Sequence, residues 1–162
     1  LEDILSIVHD TIDETQRIYR NLHLAILDDL GLDAALRSLC NEFMEVYKTI
    51  TIETYFELEE KSIQEPLKIL IYRVLQEALN NVAKHSQADI VKVSLCRVND
   101  EIELLIKDNG QGFDLAEVQT VEFHRRGIGL DSIKERTVLF GGSLDIDSAP
   151  EQGTTIRVCW PC

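Results

Sequence analysis

The feature that most constrains this chain is a strand that ends in a carboxylate and two closely spaced glycines, in the stretch Asp108-Asn109-Gly110-Gln111-Gly112-Phe113. Polar and apolar residues alternate from residue 101 before the run turns fully apolar, which predicts a half-buried strand. Glycine permits positive φ and lets other groups approach the backbone closely. A carboxylate beside accessible backbone amides suits a ligand with both a donor and an anionic part, as a nucleotide has. The alternative is an ordinary Asn-Gly turn after a strand.

Length and charge bound the class of protein. The chain has 162 residues, enough for one domain with a full hydrophobic core. Its hydrophobic content of 44% and charged content of 28% are ordinary for a soluble protein, and no apolar run is long enough to cross a bilayer. The net charge of -13 argues against a nucleic-acid-binding surface, so we expect no nucleic-acid partner and no membrane contact by this segment. An anionic ligand would have to be bound locally, by amides, a few basic residues or a metal ion.

The four cysteines do not form a recognisable framework. Cys159 and Cys162 stand in a C-x-x-C pattern, but no helical pattern follows to supply the positive field that a reactive thiol needs. A zinc site would need a second pair, and Cys40 and Cys96 are isolated. We therefore expect reduced cysteines without a redox or metal-binding role.

Residues 1–26 have the pattern of one amphipathic helix. Apolar and small residues recur in two rows at heptad spacing, and a third row of apolar residues lies beside them. Together the rows form a stripe wide enough for a helix in a bundle. We expect the stripe to pair with another helix; the alternative is that it packs on its own domain. Gly31 then breaks the pattern, and a shorter helix is predicted from Asp33 to Tyr47, with Asp33 at its cap.

A long helix is predicted from Glu65 to His85, and it carries two adjacent stripes. The apolar stripe consists of Leu67, Ile71, Leu75, Ala78 and Val82. A polar stripe of Glu77, Asn81 and Lys84 lies next to it at 100° per residue, so these groups should edge the core. Such a set could hold Mg²⁺, which takes few protein ligands and keeps several waters. The alternative is a solvated helix face with a Glu77–Asn81 contact.

The remaining patterns predict strands and a further helix. The predicted strands are residues 50–56, 90–98, 101–108, 143–148 and 154–160, the second and third joined as a hairpin. Residues 114–126 look like a loop that ends in a basic cluster, His124-Arg125-Arg126. The glycine-rich run Gly127-Ile128-Gly129-Leu130 leads into a predicted helix from Asp131 to Phe140, closed by Gly141 and Gly142. A glycine-rich entry to a helix N-terminus is typical of an anion site.

Four short motifs stand in a fixed order along these elements: Glu77-x-x-x-Asn81, Asp108-x-Gly110-x-Gly112, Gly127-x-Gly129-Leu130 and Gly153-Thr154. Together they resemble the Bergerat ATP-binding fold shared by gyrase, heat-shock ATPases, the mismatch-repair protein MutL and sensor histidine kinases. The run from Gln76 to Ser86 is similar to the signature of histidine kinases of the nitrate-sensor and desaturase-sensor branch. Residues 26–36 resemble the junction in that branch between the second dimerisation helix and the ATP-binding domain.

The resemblance implies an α+β fold, a two-layer α/β sandwich preceded by a bundle-type helix. Residues 1–30 would be the remnant of a dimerisation and phosphotransfer domain, and residues 31–162 the catalytic domain that binds ATP and Mg²⁺. Asn81 would be the Mg²⁺ ligand, and Glu77 would be a catalytic residue that orders the metal or a water. Lys84 and His85 would face the phosphates.

The resemblance also assigns the nucleotide contacts beyond this helix. Asp108 would accept the amino hydrogen of adenine and share that site with Thr154, while Gly110 and Gly112 would let the purine lie close to the backbone. The phosphates would be cradled at the N-terminus of the following helix by Gly127, Ile128, Gly129 and Leu130, with Arg125 or Arg126 closing from the lid.

The phospho-accepting histidine of such kinases begins a His-Asp motif on the first helix of a two-helix hairpin. Val8-His9-Asp10 has this form, but only about twenty residues separate it from Gly31, too few for the rest of that hairpin. We therefore interpret His9 as a surface histidine on the second helix. The acceptor histidine is predicted to lie outside these residues.

The function implied by the resemblance is that of a cytoplasmic protein-histidine kinase domain. It would donate the γ-phosphate of Mg-ATP to a histidine and then to a response regulator, in a homodimer formed through the dimerisation helices. Two alternatives stay open. One is a Bergerat-fold ATPase with Glu77 as general base for water, although the short lid and the Lys84-His85-Ser86 ending argue against it. The other is a non-enzymatic module that senses nucleotide or binds a partner through the first helix.

Overall fold

The computed structural model describes residues 27–60, 63–114 and 128–162. The helix predicted over residues 1–26, with His9, lies outside the described residues, and only residues 27–30 of the first proposed domain are described. In chain order the elements are α1 (Leu32–Val46), β1 (Thr51–Glu57), α2 (Glu65–Asn81), a π-helical turn (Val82–Ser86), β2 (Ile90–Val98), β3 (Glu101–Asp108), α3 (Ile128–Leu139), β4 (Ser143–Ser148) and β5 (Thr154–Pro161).

The five strands form one mixed sheet in the order β1-β2-β3-β5-β4. β1 runs parallel to β2, and the other neighbours are antiparallel. The register aligns one apolar row across all five strands: Phe56, Leu95, Leu104, Val158 and Leu144. Because successive side chains point to opposite faces, the adjacent row is largely polar and lies on the other face: Glu57, Cys96, Glu103, Cys159 and Ser143.

The helices cover the apolar face and make the second layer of the sandwich. The predicted core stripe of α2 is buried throughout, with Ile71 and Leu75 fully inaccessible. Residues of α1 and Ile133 of α3 belong to the same core cluster. The structure therefore confirms the predicted α+β, two-layer fold. Among the described residues, none of the helices has the length and apolar content to span a bilayer.

Two helix predictions differ from the structure. α2 was expected to stay α-helical to His85, but its α-helical part ends at Asn81 and the next five residues form the π-helical turn. The 100° spacing that aligned Lys84 with Asn81 does not apply beyond this point. α3 begins at Ile128 rather than Asp131. The glycine at 129 disfavours a helix by about 1 kcal/mol, a preference that packing readily overrides.

The start of α1 is capped by a residue distant in sequence. The N-cap is Gly31, which has no side chain to bond the first amides, so the prediction of Asp33 as the cap is wrong. Instead, the Glu60 carboxylate accepts hydrogen bonds from the backbone N–H of Leu32 at 2.9 Å and of Asp33 at 2.7 Å. The Asp33 carboxylate accepts two bonds from the Arg37 guanidinium. Glu60 therefore ties the segment after β1 to the first turn of α1.

Glu60→Ala should lower the free energy of unfolding by about 1 kcal/mol, the usual value of a capping side chain. The substitution leaves the N–H groups of Leu32 and Asp33 without their acceptor. Urea denaturation followed by circular dichroism measures the change.

Glu45→Ala is the matched control, because it removes the same charge from an exposed position in the last turn of α1. A carboxylate near a helix C-terminus opposes the helix dipole, so this variant should not be destabilised. An equal loss of stability in both variants would contradict the capping role of Glu60.

Candidate functional site

The centre of the site is the carboxylate of Asp108, at the end of the central strand β3. The side chain is buried, with 5% of its surface exposed. Its Oδ1 accepts a hydrogen bond from the Gly110 N–H at 2.8 Å. Burial raises the pKa of Asp108 above its ordinary value, and the backbone N–H groups of Gly110 and Thr154 act against this rise. Since a carboxylate has about four acceptor positions, it retains capacity for a donor from a ligand.

Two glycines allow the chain to close around this carboxylate. A Cβ atom at Gly110 would lie 2.1 Å from the Ser86 carbonyl oxygen and 2.8 Å from Asp108 Oδ1. A Cβ atom at Gly153 would lie 2.1 Å from the Asp108 carbonyl oxygen. Both distances are far below van der Waals contact, so only glycine fits at either position. The end of β3 is therefore enclosed by backbone from the π-helical turn on one side and from the β4–β5 turn on the other.

Asn109 and Gln111 belong to the loop that follows Asp108, called here the Asp108 loop (residues 109–113). They bond this loop to the π-helical turn and to the residues at the start of β2. The Asn109 Oδ1 accepts bonds from the N–H groups at residues 89 and 90, at 3.2 Å and 3.0 Å. The Gln111 N–H donates to the Ser86 carbonyl at 2.7 Å, and its Nε2 donates to the His85 carbonyl at 2.6 Å. Asp108, which the sequence indicates by its carboxylate, is thus followed by a loop whose side chains fix the position of that loop.

The other end of the predicted site lies on α2 and the π-helical turn. Glu77 and Asn81 are half-buried, as their place beside the core stripe predicts, whereas Lys84 and His85 are exposed. The Asn81 Nδ2 atom is buried and has no hydrogen-bond partner among the described residues. Half a turn of the carboxamide puts its oxygen at the same position, so this group fits a cation or a polar ligand. Buried polar atoms without partners are rare in folded proteins, which makes Asn81 a candidate ligand-binding residue.

The glycine-rich run before α3 is only partly described. Arg125, Arg126 and Gly127 lie outside the described residues. The backbone of Ile128, Gly129 and Leu130 forms the first turn of α3. The first N–H groups of a helix have no partner within it, so this turn offers the donors that an anion needs.

Thr154 and Gly112 are the remaining predicted residues that the structure describes. Thr154 lies at the start of β5, and its Oγ1 atom is 3.1 Å from Ser148 Oγ. Gly112 lies in the loop after β3 and has a φ of +60°. The Ser148 hydroxyl donates to the Gly153 carbonyl at 3.1 Å and accepts a bond from the Phe113 N–H at 3.0 Å. The contacts of Ser148 have no signal in the sequence, because a serine at the end of a strand belongs to no motif that indicates them.

The cysteines show no feature of a reactive or metal-binding pair. Burial raises the pKa of the Cys159 thiol, the opposite of what a reactive cysteine requires. Within the parts of the chain that the structure describes, there is no group of three or more His, Cys, Asp and Glu residues able to hold a metal ion. Mg²⁺ bound through one amide and a nucleotide does not need such a group.

The chain is similar to a known protein family and to several of its members. Residues 67–162 match the family described as "Histidine kinase-, DNA gyrase B-, and HSP90-like ATPase". The sensor histidine kinase MctS of Rhizobium johnstonii is 37% identical over 95% of this chain and 32% of its own length. The oxygen sensor histidine kinase NreB of Staphylococcus carnosus is 34% identical over 96% of this chain and 43% of its own length. The chain thus spans less than half the length of these relatives.

Solved structures agree at the level of the fold. The blue-light activated histidine kinase of Erythrobacter litoralis EL346 superposes with a TM-score of 0.74 at 15% identity, covering 94% of this chain and 49% of that one. The mycobacterial sensor histidine kinase MprB gives a TM-score of 0.62 at 24% identity, over 78% of this chain and 92% of that one. The family match extends over more than half of the residues, and the relatives named above are sensor histidine kinases. This chain therefore belongs to the histidine kinase-, DNA gyrase B- and HSP90-like ATPase family.

Proposed function

We propose that this chain binds Mg-ATP in the site around Asp108 and donates the γ-phosphate to a histidine of its sensor kinase. The observation that carries the proposal is the buried Asp108 carboxylate, which keeps acceptor capacity at the end of β3 between two backbone segments. Family membership supports ATP as the ligand, and the donors and acceptors of the site agree with that chemistry.

The adenine ring is recognised at the sheet end of the site. The exocyclic amino group of adenine donates to the Asp108 carboxylate, and Thr154, whose N–H favours the ionised carboxylate, contributes beside it. Guanine carries an oxygen acceptor at the corresponding position, which would face a carboxylate without a proton between them. An unpaired buried acceptor costs about 1–3 kcal/mol, enough to select adenine over guanine.

The phosphates and the metal are held at the helix end of the site. Asn81 is the proposed Mg²⁺ ligand, because its half-buried carboxamide has an end with no partner among the described residues. Glu77, one helical turn earlier, orders the metal or a water. Lys84 and His85 are exposed on the π-helical turn and provide positive or donor groups for the phosphates. When bound, Mg²⁺ neutralises charge on the phosphate oxygens.

The first turn of α3 supplies further donors for the phosphates through the backbone N–H groups at residues 128–130. Gly127, which precedes this turn, is proposed to belong to the same cradle, and Arg125 or Arg126 is proposed to close over the phosphates.

Phosphoryl transfer requires positioning and charge neutralisation more than covalent chemistry by the protein. A site with backbone amides, one metal ligand and few titrating groups is suited to this task. The acceptor histidine attacks the γ-phosphorus through an imidazole nitrogen, and ADP leaves. In the whole kinase, a homodimer formed through helices that include residues 1–26 would bring the acceptor to this site in the cytoplasm. A response regulator would then take the phosphate from the histidine.

Asp108→Asn should weaken Mg-ATP binding by about 10- to 100-fold, since it removes a charged acceptor worth roughly 1.5–3 kcal/mol. The fold should not lose stability, because the variant no longer buries a carboxylate. Isothermal titration calorimetry and thermal denaturation measure the two quantities.

Asp147→Asn is the control, with the same change of charge at an exposed position on β4. It should bind Mg-ATP as the unmodified chain does. Unchanged affinity in Asp108→Asn would refute the adenine assignment.

The pH dependence of stability gives a second test of the buried carboxylate. The raised pKa of Asp108 means that its protonated form favours the folded state, so its contribution is fully present below the pKa of an unfolded aspartate. That contribution is lost as pH rises through the raised, folded-state pKa. Without nucleotide, the chain should therefore lose stability relative to Asp108→Asn over this interval, as measured by urea denaturation from about pH 3 to pH 7. A constant difference between the two proteins would contradict a raised pKa.

Asn81→Ala should abolish the part of ATP affinity that depends on Mg²⁺. For the unmodified chain, calorimetry should show tighter ATP binding with Mg²⁺ than with EDTA, whereas the variant should bind equally in both. Asn80→Ala is the control, because this neighbouring asparagine is exposed. If Asn81→Ala keeps the full effect of Mg²⁺, the metal is held elsewhere.

A further inference from the structure

Gln111 connects three segments that meet at the site. Its side-chain Nε2 donates to the His85 carbonyl at 2.6 Å, and its backbone N–H donates to the Ser86 carbonyl at 2.7 Å. Its own carbonyl accepts a bond from the N–H of Glu151 in the β4–β5 turn at 2.6 Å. One exposed residue of the Asp108 loop therefore bonds both the π-helical turn and the β4–β5 turn.

The carbonyl groups that Gln111 bonds belong to the end of a helix. The last carbonyls of a helix have no partner within it and must be satisfied from elsewhere. The Ser86 hydroxyl satisfies the Val82 carbonyl at 2.9 Å. Gln111 bonds the last two carbonyls of the π-helical turn, those of His85 and Ser86, from across the loop. It thus acts as a C-terminal cap of the helical segment that carries Asn81, Lys84 and His85.

We propose that Gln111 is a positioning residue that sets the phosphate end of the site relative to the adenine end. The inference rests on the proposed binding of Mg-ATP. Asp108 is fixed by the backbone contacts of its glycines, which do not involve the Gln111 side chain. The His85 carbonyl, by contrast, accepts the Gln111 amide. Loss of that bond should displace Lys84 and His85 while the adenine carboxylate stays in place.

Two observations distinguish the positioning role of Gln111 from a general role in folding. Asn109 fastens the same loop to the start of β2, at residues 89 and 90, away from the basic residues. The Gln111 side chain is exposed, so its replacement leaves no cavity in the core. The effect on phosphate binding can therefore be measured in a folded domain.

Gln111→Met tests the proposal, because methionine has a similar length and shape but no donor. Affinity for Mg-ATP should fall by about tenfold, the consequence of a misplaced phosphate end after the loss of one hydrogen bond. Affinity for adenosine, which has no phosphates, should change by less than about twofold. Calorimetry measures Mg-ATP binding, and an NMR titration follows the weaker adenosine binding. Gln111→Glu should weaken Mg-ATP at least as much, because it places a carboxylate oxygen against the His85 carbonyl.

Gln152→Met and Gln152→Glu are the matched controls, at an exposed glutamine of the β4–β5 turn, and both should bind Mg-ATP normally. Equal weakening of Mg-ATP and adenosine in Gln111→Met, or no weakening of either, would overturn the proposal. A failure of the proposed function looks different: the unmodified chain would then not bind Mg-ATP, or its binding would be insensitive to Asp108→Asn.

Discussion

The structure depends on a close approach of backbone to backbone at the end of β3. The Ser86 carbonyl lies where a Cβ of Gly110 would be, and the Asp108 carbonyl lies where a Cβ of Gly153 would be. These contacts bring the end of the α2 segment and the β4–β5 turn against the same strand terminus. Two glycines cost conformational entropy on folding, of order 1 kcal/mol each. These contacts hold a carboxylate in a buried position, where desolvation raises its pKa and backbone N–H groups act against that rise.

Two helix ends in the helical layer are bonded by residues far away in sequence. Glu60 accepts bonds from the first amides of α1, and Gln111 donates to the last carbonyls of the segment that follows α2. The N-cap of α1 makes no side-chain hydrogen bond, whereas the π-helical turn has one local bond, from the Ser86 hydroxyl to the Val82 carbonyl. Glu60 follows the end of β1 that lies away from Asp108, so of these two distant contacts it is that of Gln111 which links the helical layer to the loop of the site.

The strands and the core could be predicted because they follow periodicities that the chain displays directly. Alternation located β2, β3 and β4 at their observed bounds, and the apolar stripe of α2 is buried as expected. The cap at Glu60 could not be predicted, because Glu60 is separated in sequence by 28 positions from Leu32 and by 27 positions from Asp33. The π-helical turn could not be predicted either, since nothing in its composition distinguishes it from the α-helix before it. For the proposed site, short sequence motifs predict Asp108, Asn81 and the glycines, whereas the contacts of Ser148 and Gln111 arise only in the tertiary structure.

The two ends of the proposed site contact different parts of the nucleotide, and that difference bears on turnover. The proposed adenine end belongs to the central strands and is closed by glycine contacts, so its contribution to binding would be the same for ATP and ADP. Uniform binding of this kind cannot favour transfer or release of product. In this proposal, discrimination between substrate and product comes from the phosphate end, where Asn81, the π-helical turn and the first turn of α3 would meet the parts of the nucleotide that change. The Gln111 amide bonds the His85 carbonyl at this end, so the proposed positioning role of Gln111 would bear on the phosphates and not on the base.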